Sequence, residues 1–365
     1  MWSTQRVVGS HGLGAESVGS LLPRLQGYPA AIMSALLLAF TGILMRVLSA
    51  DYGMPSLVLA FWRAALVVAV LVPVLLCWRP HWLRLSRQQC LYYGGYGLLL
   101  AVFNVLWTLS VALNGAAVAT VLVYSSVIFT LLCGWCLYGE RLHPVEGGLI
   151  LLSLWGCLQV CGGHELLAQS LNWHGLLLGL LSGLGYGLYT LAGRIATRRH
   201  YPVWNTILYV FAFSALDQWL FNQLVLISLP EMSSLPSGSL WRLLQGSAGD
   251  LWYLSVQSPH PGWQGWALLW LLAAGPTLLG FGLYNQSLKR LPMGVVNLIV
   301  SLELVFTAVI AYGWLGEQLT PAQWGGALLV LVAILALQQY GRRRPKSMAA
   351  SVDASVEASV RGATP

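Results

Sequence analysis

Glu303 is a carboxylate in the middle of an apolar run, Val300-Ser301-Leu302-Glu303-Leu304-Val305. If that run lies in lipid, burying the charge costs about 2.5–3.5 kcal/mol unless the group is protonated or paired. Three roles suit such a residue: a proton-coupling carboxyl, a ligand for a substrate cation, or a structural partner of Arg63 or a helix terminus. Arg63, which follows Phe61-Trp62, is the complementary charge. Its guanidinium can bond carbonyls of a neighbouring helix, reach an interface or recognise an anion. Asp217-Gln218 is a weaker case, suited to a wet cavity or an interhelical contact.

Polar and aromatic residues recur at helical spacing in the other apolar runs. Asn104 pairs with Trp107, Thr120 with Tyr124, Tyr186 with Tyr189, Phe281 with Tyr284 and Asn285, and Asn297 with Ser301. Intervals of three and four put each set on one helix face. Polar groups are costly against lipid, so these faces are expected to point inward. Ordinary helix packing is the competing account of each set. If they line a cavity, its aromatic walls and few charges suit a small, neutral or zwitterionic solute. The expected substrate contacts are Asn104, Trp107, Tyr124, Tyr186, Tyr284 and Asn297, with Glu303 and Arg63 as the in-membrane charges that tune or couple the site.

Other chemistries find little support. The seven histidines (11, 81, 143, 164, 174, 200, 260) lie in loops or at the ends of apolar runs. They form no histidine–carboxylate pair or metal set within the runs, and no GxSxG or phosphate-cradling loop occurs. Cys133-Gly-Trp-Cys136 matches a CxxC pattern, but it sits in an apolar run rather than a soluble βαβ unit. The six cysteines therefore read as small packing residues. No enzyme activity and no cofactor are expected.

The elements that must position these residues are set by composition. Charged residues make up 8% of the chain, against roughly 25% for a soluble globular protein. Hydrophobic residues make up 57%, and mean hydropathy is +0.69. The apolar runs are long, which favours membrane helices over a β-barrel. At about 20 residues per crossing, they fall near 28–48, 55–78, 91–112, 115–138, 146–162, 175–195, 203–229, 264–287, 293–315 and 322–340. Residues 1–26 read as a cytoplasmic tail, without the apolar core of a signal peptide. The Pro-, Ser- and Gly-containing stretch 230–263 reads as an extracytoplasmic loop with a short amphipathic piece at 240–244. Residues 341–365 form a basic, low-complexity tail.

The net charge of +7 is sorted by position, which points to a lipid surface rather than nucleic acid. Of the 19 Lys and Arg, Arg46 and Arg63 fall within runs and Arg242 in the 230–263 loop. All the others fall on the opposite side. That places both termini in the cytoplasm and requires an even number of crossings.

The chain also repeats. Gly139-Glu140-Arg141-Leu142-His143-Pro144 matches Gly316-Glu317-Gln318-Leu319-Thr320-Pro321, and the same spacing aligns Trp107 with Tyr284, Ser110 with Ser287 and Gly148 with Gly325. Two five-helix units, 27–162 and 175–340 joined by a linker at 163–174, would insert in opposite orientation because five is odd. Such inverted repeats are the architecture of many secondary transporters, with the substrate site near the midplane. The fold expected is therefore an all-α integral membrane protein of ten transmembrane helices, built as two inverted five-helix repeats. Thr320-Pro321-Ala322-Gln323 has the form of a capping box. Gly175, Gly179, Gly183 and Gly187 form a smooth stripe for close helix approach.

These motifs resemble the drug/metabolite transporter superfamily, specifically the EamA type with two EamA repeats. The resemblance covers roughly 28–340. It rests on Phe61-Trp62-Arg63, on Leu137-Tyr138-Gly139-Glu140-Arg141-Leu142 and Trp314-Leu315-Gly316-Glu317-Gln318-Leu319, and on Ser301-Leu302-Glu303. It implies a ten-helix carrier, often an exporter of amino acids or other metabolites and sometimes proton-coupled, with a cavity formed mainly by spans 1, 3, 4, 6, 8 and 9. The family usually places proline after the matched glutamate; this chain has Leu304 there and Val127 in the first repeat.

The expected function is secondary transport, in the export direction, of a small organic metabolite such as an amino acid, by alternating access. The alternatives are an antiporter of anionic metabolites resembling sugar phosphates, or a non-transporting membrane sensor or structural protein. The expected partners are a small-molecule substrate, the lipid bilayer of a bacterial inner membrane, protons as coupling ion, and at most a second copy in a homodimer.

Overall fold

The computed structural model describes residues 27–138, 144–160, 172–232, 262–315 and 320–343, and among these the regular structure is helical, with no strand. In chain order, α1 is Gly27–Ala50, α2 Ser56–Trp78, α3 Arg87–Tyr124, α4 Ser126–Tyr138 and α5 Pro144–Val160. They are followed by α6 Trp173–Arg198, α7 Val203–Met232 and α8 Trp263–Leu272. A π-helical segment, Ala273–Leu279, leads into α9 Gly280–Leu288, then α10 Met293–Val300, α11 Leu302–Leu315 and α12 Pro321–Arg343. The expected turns at 139–143 and 316–319, most of the linker, the amphipathic piece at 240–244 and the tail beyond 343 lie outside the described residues.

Six helical stretches are long and apolar enough to cross a membrane: Gly27–Ser49, Leu57–Trp78, Arg87–Val111, Trp173–Arg198, Trp263–Leu288 and Met293–Ile310. Ala119–Cys133, Gly147–Val160 and Pro321–Ala336 are shorter apolar helices. This is a multi-pass membrane protein. Its exposed side chains fit lipid, with Leu98, Leu151 and Leu328 on the outside and Trp78, Trp173 and Trp263 at helix ends, the level of the membrane interface.

Helical hydrogen bonding continues through all of α3, including the place where the apolar pattern suggests a turn between spans three and four. The chain nevertheless doubles back there. A Cβ built on Gly179 would meet both Ser110 and Leu122, residues about 18 Å apart along a straight helix. α6 lies against both limbs. Going up α6, Gly179, Gly185 and Gly193 meet Ser110, Phe103 and Tyr96 in descending order, whereas Gly179, Gly183 and Gly187 meet Leu122, Ser125 and Phe129 in ascending order. α6 is therefore antiparallel to the first limb and parallel to the second. The glycine stripe is what admits this contact. A Cβ at Gly183 would lie 2.4 Å from Ser125 Oγ and 2.7 Å from the Leu122 carbonyl oxygen.

Two single-residue breaks shape the centre. α3 gives way to α4 at Ser125, with ψ −18°, and α10 to α11 at Ser301, with ψ −14°. Each serine hydroxyl donates to the carbonyl three residues back, Leu122 and Leu298, at 2.6 Å. Each serine carbonyl then accepts from the amide three residues on, Ile128 at 2.9 Å and Leu304 at 3.2 Å. The tighter bonding interrupts the helix without proline.

Elsewhere the devices are more ordinary. Pro276 lies inside the π segment, where its missing N–H and ring disturb α-helical bonding. Ser34 Oγ donates to the Gly280 carbonyl at 2.8 Å, tying α1 to the far end of that segment. The expected capping box forms at Thr320. Its N–H donates to Gln323 Oε1 at 2.8 Å, and the Gln323 N–H donates to Thr320 Oγ1 at 3.3 Å. The structure adds a second box at Ser86 and Gln89, opening α3. α5 and α12 cross at Gly156 and Gly326, where a Cβ on either would lie 2.8 or 2.7 Å from the other's carbonyl oxygen.

Candidate functional site

α4 crosses α10 and α11 in antiparallel sense. A Cβ on Gly294 would meet Leu131, Asn297 reaches Thr130, and Glu303 reaches Tyr124. The two serine breaks lie along this crossing, and α6 and α9 close it from the side.

The first buried group centres on Tyr284 and Asn297. The Tyr284 hydroxyl lies 2.6 Å from Thr190 Oγ1 and donates to Asn297 Oδ1 at 2.8 Å. The Asn297 amide nitrogen donates to Thr190 Oγ1 at 3.3 Å and to Thr130 Oγ1 at 3.4 Å. Four helices, α4, α6, α9 and α10, thus share one polar knot, and its groups are satisfied by one another. Aromatic rings surround it. Tyr186 lies 6.1 Å from both Tyr284 and Tyr189, and 5.1 Å from Phe103. Tyr189 lies 4.8 Å from Tyr96 and 6.0 Å from Phe281.

The second group carries the charges. Tyr124 donates to Glu303 Oε2 at 2.9 Å. Arg63, on α2, is buried at 7% exposure. Its Nη2 donates to Asn104 Oδ1 at 3.1 Å, and its Nη1 approaches the Met45 sulfur at 3.7 Å. Its Nε is buried with no partner. Arg63 and Glu303 feel each other electrostatically without approaching to ion-pair distance. Tyr186 lies between the two groups, with its ring 6.1 Å from that of Tyr284 and within electrostatic range of Glu303. Ser153 lies 3.5 Å from Ser301, bringing α5 to the edge of the site.

Of the residues expected from the sequence, Tyr124, Tyr186, Tyr284, Asn297 and Glu303 form one connected region, and Asn104 enters through Arg63. Trp107 is partly buried against the apolar core and takes no part in these hydrogen bonds. Asp217 lies on α7 with one buried oxygen unpartnered, and its neighbour Gln218 bonds Ser214 on the same helix at 2.8 Å. Thr130, Thr190 and Met45 are neighbours in this region that the sequence reading does not single out. Only Thr190 carries a local signal, one helical turn beyond Tyr186 and donating to its carbonyl at 2.9 Å.

The model of the EamA-like transporter family matches residues 25–161 and 234–338. The chain is 28% identical over 278 residues to the threonine/homoserine exporter RhtA of Escherichia coli (strain K12), covering 75% of this chain and 77% of that protein. It is 30% identical over 101 residues to a protein of Pectobacterium atrosepticum named "Probable 4-amino-4-deoxy-L-arabinose-phosphoundecaprenol flippase subunit ArnE", covering 27% of this chain and 87% of that one. A solved crystal structure shares the fold with a TM-score of 0.65 at 18% identity, covering 88% of this chain and all of the other. With both matched regions running over its membrane helices, the chain belongs to the EamA-like transporter family.

Proposed function

We propose that the protein is a secondary transporter that exports a small organic metabolite, an amino acid above all, by alternating access. The observation that carries this reading is the buried region joining Tyr124, Tyr186, Tyr284, Asn297, Arg63 and Glu303. It combines hydrogen-bonding groups, aromatic walls and two opposite charges inside a membrane protein, where such groups are expensive unless they serve transport. The similarity to a threonine/homoserine exporter supports the amino-acid class and the export direction. Arg63 is the one observation that favours an anionic metabolite, and the nearby negative charge of Glu303 weighs against it.

In this reading the chain crosses a bacterial inner membrane ten times as two inverted copies, 27–162 and 175–340, with both termini in the cytoplasm. The copies rock about the central site. Glu303 couples the cycle to protons, and the unit works as a monomer or homodimer. Proteoliposomes loaded in turn with each proteinogenic amino acid test the substrate class. At least one should drive counterflow accumulation of its radiolabelled form. No counterflow with any of them, and no ligand-induced thermal shift of the purified protein, would overturn the amino-acid reading.

A further inference from the structure

Arg63 is a guanidinium inside a membrane protein, and among the described residues its hydrogen-bond partners are neutral. Asn104 supplies one amide oxygen and Met45 a thioether, while Nε is buried and bonds nothing. A guanidinium has five N–H donors in a fork that matches a carboxylate. Glu303 mirrors it. Among the described residues its one hydrogen-bond partner is the Tyr124 hydroxyl, although a carboxylate accepts several bonds. If the two charges served only to hold helices together, they would be expected to meet directly, because two separated charges in a low-dielectric interior are a costly way to stabilise a fold. Here each is anchored separately, Arg63 by α1 and α3 and Glu303 by Tyr124, and they interact only through space.

We propose that Arg63 and Glu303 are the two ends of a receptor for a zwitterion: the Arg63 guanidinium takes the carboxylate of an α-amino acid, and Glu303 with Tyr124 takes its ammonium group. This rests on the amino-acid reading above and goes further by assigning each end of the substrate to a residue. The bound ligand completes both coordination shells and neutralises both charges. The aromatic wall of Tyr186, Tyr189, Tyr284 and Phe281 remains for the side chain. A simple ammonium cation or a simple anion would satisfy one end and leave the other charge unpaired, which gives selectivity through a penalty rather than through added contacts.

The test uses the full chain in detergent and compares three forms of each ligand. L-threonine, L-leucine and L-phenylalanine are set against their carboxamides, which lack the anionic end, and against the matching 2-hydroxy acids, which lack the ammonium. Binding is read by thermal shift and titration. The wild type should bind at least one amino acid about tenfold or more tightly than either analogue. Arg63→Gln should bring the acid-to-amide ratio to within about twofold while keeping the preference for amine over hydroxyl. Glu303→Gln should do the reverse, and Arg63→Lys should recover part of the acid preference. Loss of fold cannot produce that crossed pattern. A wild type that binds the amide as well as the acid overturns the assignment even if Arg63→Gln does not fold. Variants that weaken all three forms equally overturn it as well. Either result leaves the transport reading standing if counterflow occurs, whereas a wild type that neither binds nor exchanges any amino acid overturns both.

Discussion

Among the described residues Glu303 holds a single hydrogen bond, at 2.9 Å from the Tyr124 hydroxyl, and makes no ion pair with Arg63. A carboxylate so lightly held can exchange its proton during transport at low cost. Reconstituted Glu303→Gln protein should therefore lose uptake driven by a pH gradient yet retain counterflow at saturating substrate, with a raised half-saturation concentration. Unchanged pH-driven uptake in that variant would exclude the coupling role. The sequence marks Glu303 and Arg63 because a charge within an apolar run is conspicuous. It marks Tyr124, Tyr186, Tyr284 and Asn297 by their spacing on helix faces. It does not mark Thr130 or Thr190, because a threonine hydroxyl in a membrane helix usually bonds its own backbone. Both do so here, and only the crossing of α4, α6 and α10 turns them toward Asn297 as well.

The helices that carry these residues are defined as much by what interrupts them as by their apolar faces. The family's usual proline is replaced by Leu304, yet α10 and α11 still separate, two residues before Glu303, because the Ser301 hydroxyl competes for the Leu298 carbonyl. Ser125 repeats the arrangement beside Tyr124. Tyr124 immediately precedes one break and Glu303 lies two residues beyond the other, so the hydrogen bond between them spans the crossing beside both breaks. The glycine stripe of α6 seats directly on the first break. Gly183→Ala would place a methyl group against Ser125 Oγ and the Leu122 carbonyl, and since backbone cannot yield as a side chain can, the cost should be about 1–3 kcal/mol. A lowered midpoint of thermal unfolding in detergent, together with weaker substrate binding, is the expected result. Gly95→Ala serves as the control, since nothing lies within 4 Å of its added Cβ. The stripe and the Thr320 capping box were legible because both are local patterns. The Pro276 π segment and the Ser86 box depend on how neighbouring turns settle, and the sequence reading does not resolve them.

At the scale of the whole molecule, the sequence sorts its basic residues into alternate loops, an asymmetry expected to orient a membrane protein. Reporter fusions active only on one side of the membrane should place both termini, and the segment around Arg198, in the cytoplasm, and residues 233–261 outside. A terminus found outside would contradict the charge sorting. The antiparallel and parallel packing of α6 against the two limbs of α3 and α4 gives those limbs opposite directions, as alternating crossings require. By itself, the sequence determined the membrane class, the helical character, the internal repetition of motifs, and which side chains are too polar to face lipid. Hydropathy, spacing and charge are properties of short stretches, so they survive without a fold. Only the tertiary structure decided which of those polar residues meet. It put Trp107 outside the hydrogen-bonded centre, drew in two threonines, and held Arg63 and Glu303 apart with neutral partners. Those outcomes depend on where distant helices cross, and no local pattern encodes that.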